Sequence, residues 1–253
     1  MGALHEGHLS LIRKSKSHSD ITVVSIFVNP SQFNNPADLE NYPRTLEKDL
    51  TLLEKEGVDV VFTPDKKEMY PSKTQLKMGF GELETTLEGA FRPGHFNGVA
   101  IIVAKLLNSI HPTHVYFGQK DLQQVAVIKR MVQDLSIETE VVVAPIIREK
   151  DGLAMSSRNM RLTAPERNAA VILYNSLSFA KNELLKGKSW FEVREKSVQM
   201  FLSEPLAKLE YFELVKSDAM EVIPDVDINS PCAICTAAHI GAVRLIDNIS
   251  LTN

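Results

Sequence analysis

His5 and His8 stand three residues apart in Met1-Gly2-Ala3-Leu4-His5-Glu6-Gly7-His8, and an amphipathic stretch, Leu9–Ser17, follows directly. Residues three apart share one side of a helix, so both imidazoles belong at one helix start. The first N–H groups of a helix have no intrahelical partner and the macrodipole is positive there, so that end attracts anions, and Gly7 lets a phosphate come close to the backbone. Imidazoles placed there could donate hydrogen bonds to a phosphate whose charge grows in a transition state, which is electrostatic stabilisation rather than metal chemistry. A zinc-protease pair would read H-E-x-x-H, whereas this chain reads H-E-G-H. The competing reading is two surface or helix-capping histidines.

Two further clusters have polar chemistry at predicted strand ends or loops. Phe117-Gly118-Gln119-Lys120-Asp121 closes an apolar run, and ligands of open α/β sheets bind outside the carboxyl ends of strands. Lys120 suits phosphate oxygens and Asp121 suits ribose hydroxyls; a solvated turn with a helix cap at Asp121 is the alternative. In Arg148–Asn159, two serines beside Arg158 make a phosphate clamp or, in the bland reading, a mobile charged loop. Asn29-Pro30-Ser31-Gln32-Phe33 likewise follows a strand, with Gln32 offering amide donors and acceptors to a small polar substrate. Cys232 and Cys235 have C-x-x-C spacing but lie in an apolar run that reads as a strand, where residues three apart face opposite sides. Even with His239 they supply at most three potential metal ligands, so they read as buried small residues.

The elements that must hold these residues follow from pattern. The runs Ile21–Val28, Val58–Phe62, Thr113–Gly118 and Thr139–Pro145 read as buried strands, and Leu9–Ser17, Thr45–Glu56, Gly98–Ile110 and Asp121–Leu135 as amphipathic helices between them. Such alternation implies βαβ units and a parallel sheet covered on both faces. Beyond Arg161 come two long helical stretches, Ala164–Lys186 and Trp190–Ser203. Strand-like runs follow at Leu209–Lys216, Ala233–His239 and Val243–Ile246, which is a smaller α+β pattern. The joint belongs near Pro145–Asp151, giving expected domains 1–146 and 147–253. The chain of 253 residues has 28 Lys+Arg against 32 Asp+Glu, a formal net charge of -4. That balance exerts no whole-protein pull toward nucleic acid or an anionic membrane. No run approaches the about 18 apolar residues of a membrane span and the first residues lack signal-peptide order, so the expected compartment is the cytoplasm.

The three clusters and Gln32 together resemble the pantoate–β-alanine ligase (pantothenate synthetase) family, within the wider nucleotidylyltransferase-like superfamily that shares H-x-G-H. The resemblance rests on MGALHEGH (Met1–His8), SIFVNPSQF (Ser25–Phe33), YPRTLEKDL (Tyr42–Leu50), LEGAFRPGHFNGVA (Leu87–Ala100), YFGQKDLQQ (Tyr116–Gln124), REKDGLAMSSRN (Arg148–Asn159) and RLIDN (Arg244–Asn248).

The resemblance implies a Rossmann-like ATP and pantoate domain followed by a smaller α+β domain that covers the site, in a cytoplasmic homodimer. The implied reaction joins pantoate and β-alanine through pantoyl adenylate, releasing pyrophosphate and then AMP, to make pantothenate, a coenzyme A precursor. Met1, Gly2, Ala3, Leu4, His5, Glu6, Gly7 and His8 would line the ATP site, with His8 the catalytic proton donor and His5 assisting on the phosphates. Gly118, Gln119, Lys120 and Asp121 would hold phosphates and ribose, and the backbone of Ile147 would meet adenine. Met155, Ser156, Ser157 and Arg158 would grip the phosphates, so that His8, Lys120 and Arg158 converge on one triphosphate. Gln32 and Gln124 would bind pantoate. Mg²⁺ is expected to arrive with ATP rather than in a protein cage, with Asp49 a candidate contact. Family members carry a lead-in and a first strand before the methionine at which this chain begins. The alternative expectation is therefore a truncated homologue that binds nucleotide without turnover. His95, His111 and His114 read as structural or capping, Arg92 as a candidate to approach substrate, and Trp190 as packing between C-terminal helices.

Overall fold

Valine-rich runs and one aromatic run make short parallel strands here. In the computed structural model, which describes residues 1–227 and 229–251, Val23–Ser25 (β1) pairs in parallel with Val60–Phe62 (β2). His114–Gly118 (β3) pairs in parallel with Glu140–Ala144 (β4), Tyr116 opposite Val142. Ile228, Thr252 and Asn253, which fall in the expected second domain, lie outside the described residues. The Ile21–Val28 run yields a ladder of only three residues: beyond it Ile26 donates to the Phe62 carbonyl, Phe27 to that of Met1, and the chain turns at Pro30. Among the described residues the four strands form two parallel pairs rather than one hydrogen-bonded sheet.

Helices join the pairs through side chains. The helices are Glu6–His18 (α1), Pro36–Glu40 (α2), Leu46–Lys55 (α3), Lys66–Met69 (α4), Glu88–Phe91 (α5), His95–Ile110 (α6) and Leu122–Asp134 (α7). α1 packs on β3 and β4. Its Leu9 and Ile12 also share a core with Val24 of β1 and Leu53 of α3. A second core gathers Ala100, Ile102, Val103 and Leu107 of α6 with Ile128 and Met131 of α7. Burial of each large apolar side chain is worth about 1.5–3 kcal/mol, so these contacts rather than the short ladders hold the layers.

The chain divides into two compact units: residues 1–119 with 127–145, and residues 120–126 with those from Ile146 onward. The second unit contains Ala164–Ala169 (α8), Ile172–Leu185 (α9), Trp190–Leu202 (α10) and an antiparallel sheet of Ala207–Lys216 (β5), Cys232–Ile240 (β6) and Val243–Ser250 (β7), in the order β5-β6-β7. α9 and α10 cover the sheet, and Leu173, Leu177, Phe201, Phe212, Leu214 and Ile234 fill the space between. Trp190 does not pack between helices alone; it lies nearly parallel to Phe212 of β5, ring centroids 5.8 Å apart. Cys232 and Cys235 are buried in β6 and are not joined in a disulfide. β7 continues past the expected Ile246 through two buried polar residues, Asp247 and Asn248, whose polarity masks the strand pattern. Among the described residues no helix is long and apolar enough to cross a membrane.

Candidate active site

His5 is the N-cap of α1 and His8 its third residue. The His5 N–H donates to His8 Nδ1 at 3.4 Å, and the two rings lie with centroids 4.1 Å apart. Because that Nδ1 accepts, a neutral His8 carries its proton on Nε2, the tautomer that can donate to an anion. The chain leading to them is fixed from α3: Asp49 accepts the Ala3 N–H on Oδ2 (2.9 Å) and both the Leu4 N–H (2.8 Å) and the Thr45 hydroxyl (3.1 Å) on Oδ1. Asp49 is 1% exposed, and Ala3 has φ +48°, a left-handed conformation that costs an L residue roughly 1–2 kcal/mol. Its carboxylate therefore holds a strained segment in place. That is a different role from the Mg²⁺ contact read from sequence.

Gln32 sits in a 3₁₀ turn, Pro30–Gln32, after β1. Its carbonyl accepts His95 Nδ1–H at 2.8 Å and Arg92 Nη2 at 3.3 Å, and its Oε1 accepts the Asn29 amide at 3.1 Å. Asn29 is buried; its amide also reaches the Gly98 carbonyl (3.1 Å) and its Oδ1 accepts the Tyr70 hydroxyl (2.7 Å). Burial pushes the Tyr70 phenol above its ordinary pKa, against the pull of Ser31 and Asn29. A Cβ on Gly98 would stand 2.3 Å from the Ser31 carbonyl oxygen, so only glycine lets the turn lie against α6. Sequence reasoning assigned His95 a structural part but missed Asn29 and Tyr70. The Asn-Pro-Ser cap and the HFNGVA string were the available signals.

Gly118 ends β3 and Gln119 opens the next turn, both in the first unit; Lys120 and Asp121, which complete that turn, group with the second, as does Gln124 in the first turn of α7. Lys120 Nζ lies 3.7 Å from Asp121 Oδ1, and the Lys120 carbonyl accepts the Asn248 amide at 3.0 Å. Arg148 spans Asp247 with two bonds (Nη1 to Oδ2, 2.6 Å; Nη2 to Oδ1, 3.1 Å), reaches the Gly152 and Asn248 carbonyls at 3.0 Å each, and stacks 4.6 Å from the Tyr174 ring centre. Burial pushes the Asp247 carboxyl pKa up while Arg148 pulls it down.

The segment Arg148–Asn159 is not a free loop. Met155 donates to the Ile147 carbonyl (3.0 Å), Arg167 binds Glu149 and Asp151 (2.8 Å each), and the Asn159 amide reaches the Ala154 carbonyl (3.1 Å). Ser156 Oγ accepts the Arg158 N–H at 3.2 Å and opens the 3₁₀ turn Ser157–Arg161, which packs on β7. Among the described residues no group of three His, Cys, Asp or Glu side chains is arranged to hold a metal ion.

Residues 1–250 match the family model described as pantoate-beta-alanine ligase. The chain belongs to this family. Pantothenate synthetases of Thermoanaerobacter sp. and Caldicellulosiruptor saccharolyticus are 52% and 49% identical to it, in each case over 98% of this chain and 88% of the relative. The crystal structure of pantothenate synthetase from Thermus thermophilus is 38% identical and superposes with a TM-score of 0.95, covering all of this chain and 91% of that one. The Francisella tularensis pantoate-beta-alanine ligase, complexed with beta-gamma ATP and beta-alanine, is 39% identical with a TM-score of 0.81, over 100% and 88% of the two chains. Of the residues singled out in sequence, this ligase-family chain brings together His5 with His8 in the first unit, and Lys120 with the Arg148–Arg158 segment, through β7, in the second. Gln32 stands with Asn29, Arg92 and His95 in the first unit.

Proposed function

We propose that this chain is an ATP-dependent pantoate–β-alanine ligase. A pantoate carboxylate oxygen attacks the α-phosphorus of ATP and expels pyrophosphate; the β-alanine amine then attacks the acyl carbon of pantoyl adenylate, loses a proton and expels AMP. The observation that carries this reading is the paired His5 and His8 at the α1 mouth, inside a family match that spans residues 1–250. A carboxylate is a poor electrophile and two anions repel, so the protein's work is alignment and charge neutralisation.

Met1–His8, Gly118 and Gln119 of the first unit are the ATP contacts there, with His8 Nε2–H donating to the phosphates and His5 assisting; Gln32 takes pantoate. In the second unit Lys120 and Arg158 are the cations, Asp121 the ribose contact, Ile147 the adenine contact, Met155–Ser157 the rest of the grip and Gln124 the second pantoate amide. The expected division into an ATP and pantoate domain, 1–146, and a lid and dimer-associated domain, 147–253, belongs to the same reading. Mg²⁺ enters as part of the nucleotide substrate, and the working form is a cytoplasmic homodimer. With labelled ATP, pyrophosphate should appear only when pantoate is present and AMP only when β-alanine is added as well. Pyrophosphate release that ignores pantoate, or none under any condition, rejects the proposal.

A further inference from the structure

β7 carries buried apolar residues along its first half and then buries a carboxylate and an amide side by side, Asp247 at 3% and Asn248 at 2% exposure. Stability alone does not call for them, because a buried ion pair is often replaced by packed hydrophobic groups at no loss. What the two polar residues do supply is geometry. Asn248 carries its amide to the carbonyl of Lys120, 128 residues away in sequence, and Asp247 grips the Arg148 guanidinium with two bonds at the root of the segment that ends in Arg158. Arg148 returns a bond to the Asn248 carbonyl, and the Ser157–Arg161 turn packs on the same strand.

We infer that Asp247 and Asn248 are positioning residues that lock the Lys120 turn and the Arg148–Arg158 segment into one body, so that the two phosphate-binding cations are presented at a fixed separation. This rests on the ligase reading, which gives Lys120 and Arg158 their phosphates. A misplacement on the order of 1 Å in a group that aligns reactants can cost about 10²-fold in rate, so a single amide to a backbone carbonyl is enough to matter.

The test is a double-mutant cycle on pantoate-dependent ATP–pyrophosphate exchange, with wild type, Asn248→Ala, Lys120→Ala and the double variant. Asn248→Ala should lower kcat about tenfold to 10²-fold with the pantoate KM within about twofold, and should add no further loss in the Lys120→Ala background. An additive loss in the double variant, or a lower Tm with unchanged kcat, overturns the inference. If Asn248→Ala does not fold, Asp247→Asn, which keeps the side-chain shape, enters the same cycle with Arg158→Ala, under the same two criteria. Wild-type protein without pantoate-dependent exchange would instead sink the ligase reading, so the two failures are distinct.

Discussion

A neutral imidazole has one donor and one acceptor nitrogen, and the fold decides which is which for His8 by presenting the His5 N–H to Nδ1. Replacing His8 with alanine should therefore slow adenylate formation by roughly 10²–10³-fold, as when one oxyanion-type donor is removed, while pantoate affinity changes little. Single-turnover pyrophosphate release with pantoate titrated in parallel measures both; near-wild-type release would remove His8 from its role. Asp49 is the other residue on which the α1 mouth turns. Asp49→Ala strips two backbone N–H groups of a buried acceptor, at about 1–3 kcal/mol for each group left unsatisfied. A lower urea midpoint accompanied by weaker ATP binding is expected, and an unchanged midpoint would mean water replaces the carboxylate at no cost. The histidine pair is legible in the sequence because its spacing is local. The part played by Asp49 is not, because its partners lie 45 and 46 residues away.

Among the elements, α6 and the Pro30–Gln32 turn show how a helix sets the position of the Gln32 amide. Alanine in a helix interior is favoured over glycine by about 1 kcal/mol, so propensity alone says Gly98→Ala should stabilise. The 2.3 Å approach of its Cβ to the Ser31 carbonyl opposes this, and overpacking of this kind costs about 1–3 kcal/mol. The clash wins: Gly98→Ala should lower Tm and raise the pantoate KM together, since the displaced turn carries Gln32. A higher Tm would show that the turn yields freely. The apolar runs that form β1 to β4 are readable from β-branched and, in β3, aromatic composition, with ends that contract where the backbone turns to other partners, as Phe27 does to Met1. The second half of β7 is not readable, since Asp247 and Asn248 break the apolar pattern for the sake of Arg148 and Lys120.

At the scale of the molecule, stability against acid has a nameable contributor. Hydrogen bonds from Lys186 and Lys188 hold the Glu183 carboxyl well below its usual 4.5, at about 2. A depressed carboxyl pKa adds stability that is complete above the unfolded-state value and is lost as pH falls toward the folded-state value. Between about pH 5 and pH 2, Tm of wild type should thus fall more steeply than that of Glu183→Gln, with the gap shrinking in high salt because both lysines are exposed. Parallel slopes would reject the pair as a contributor. The alternation of strands and helices and the change of texture after Arg161 are visible in the sequence as pattern. The placing of residues 120–126 with the second unit is not, because a partner such as Asn248, whose amide reaches the Lys120 carbonyl, stands 128 residues later.

The single tryptophan is sealed at 4% exposure against Phe212, wholly within the second unit. Indole emission excited at the red edge is therefore a label already installed in one half of the protein and silent in the other. Followed alongside far-ultraviolet circular dichroism, which sees both halves, it times the loss of one without any added dye.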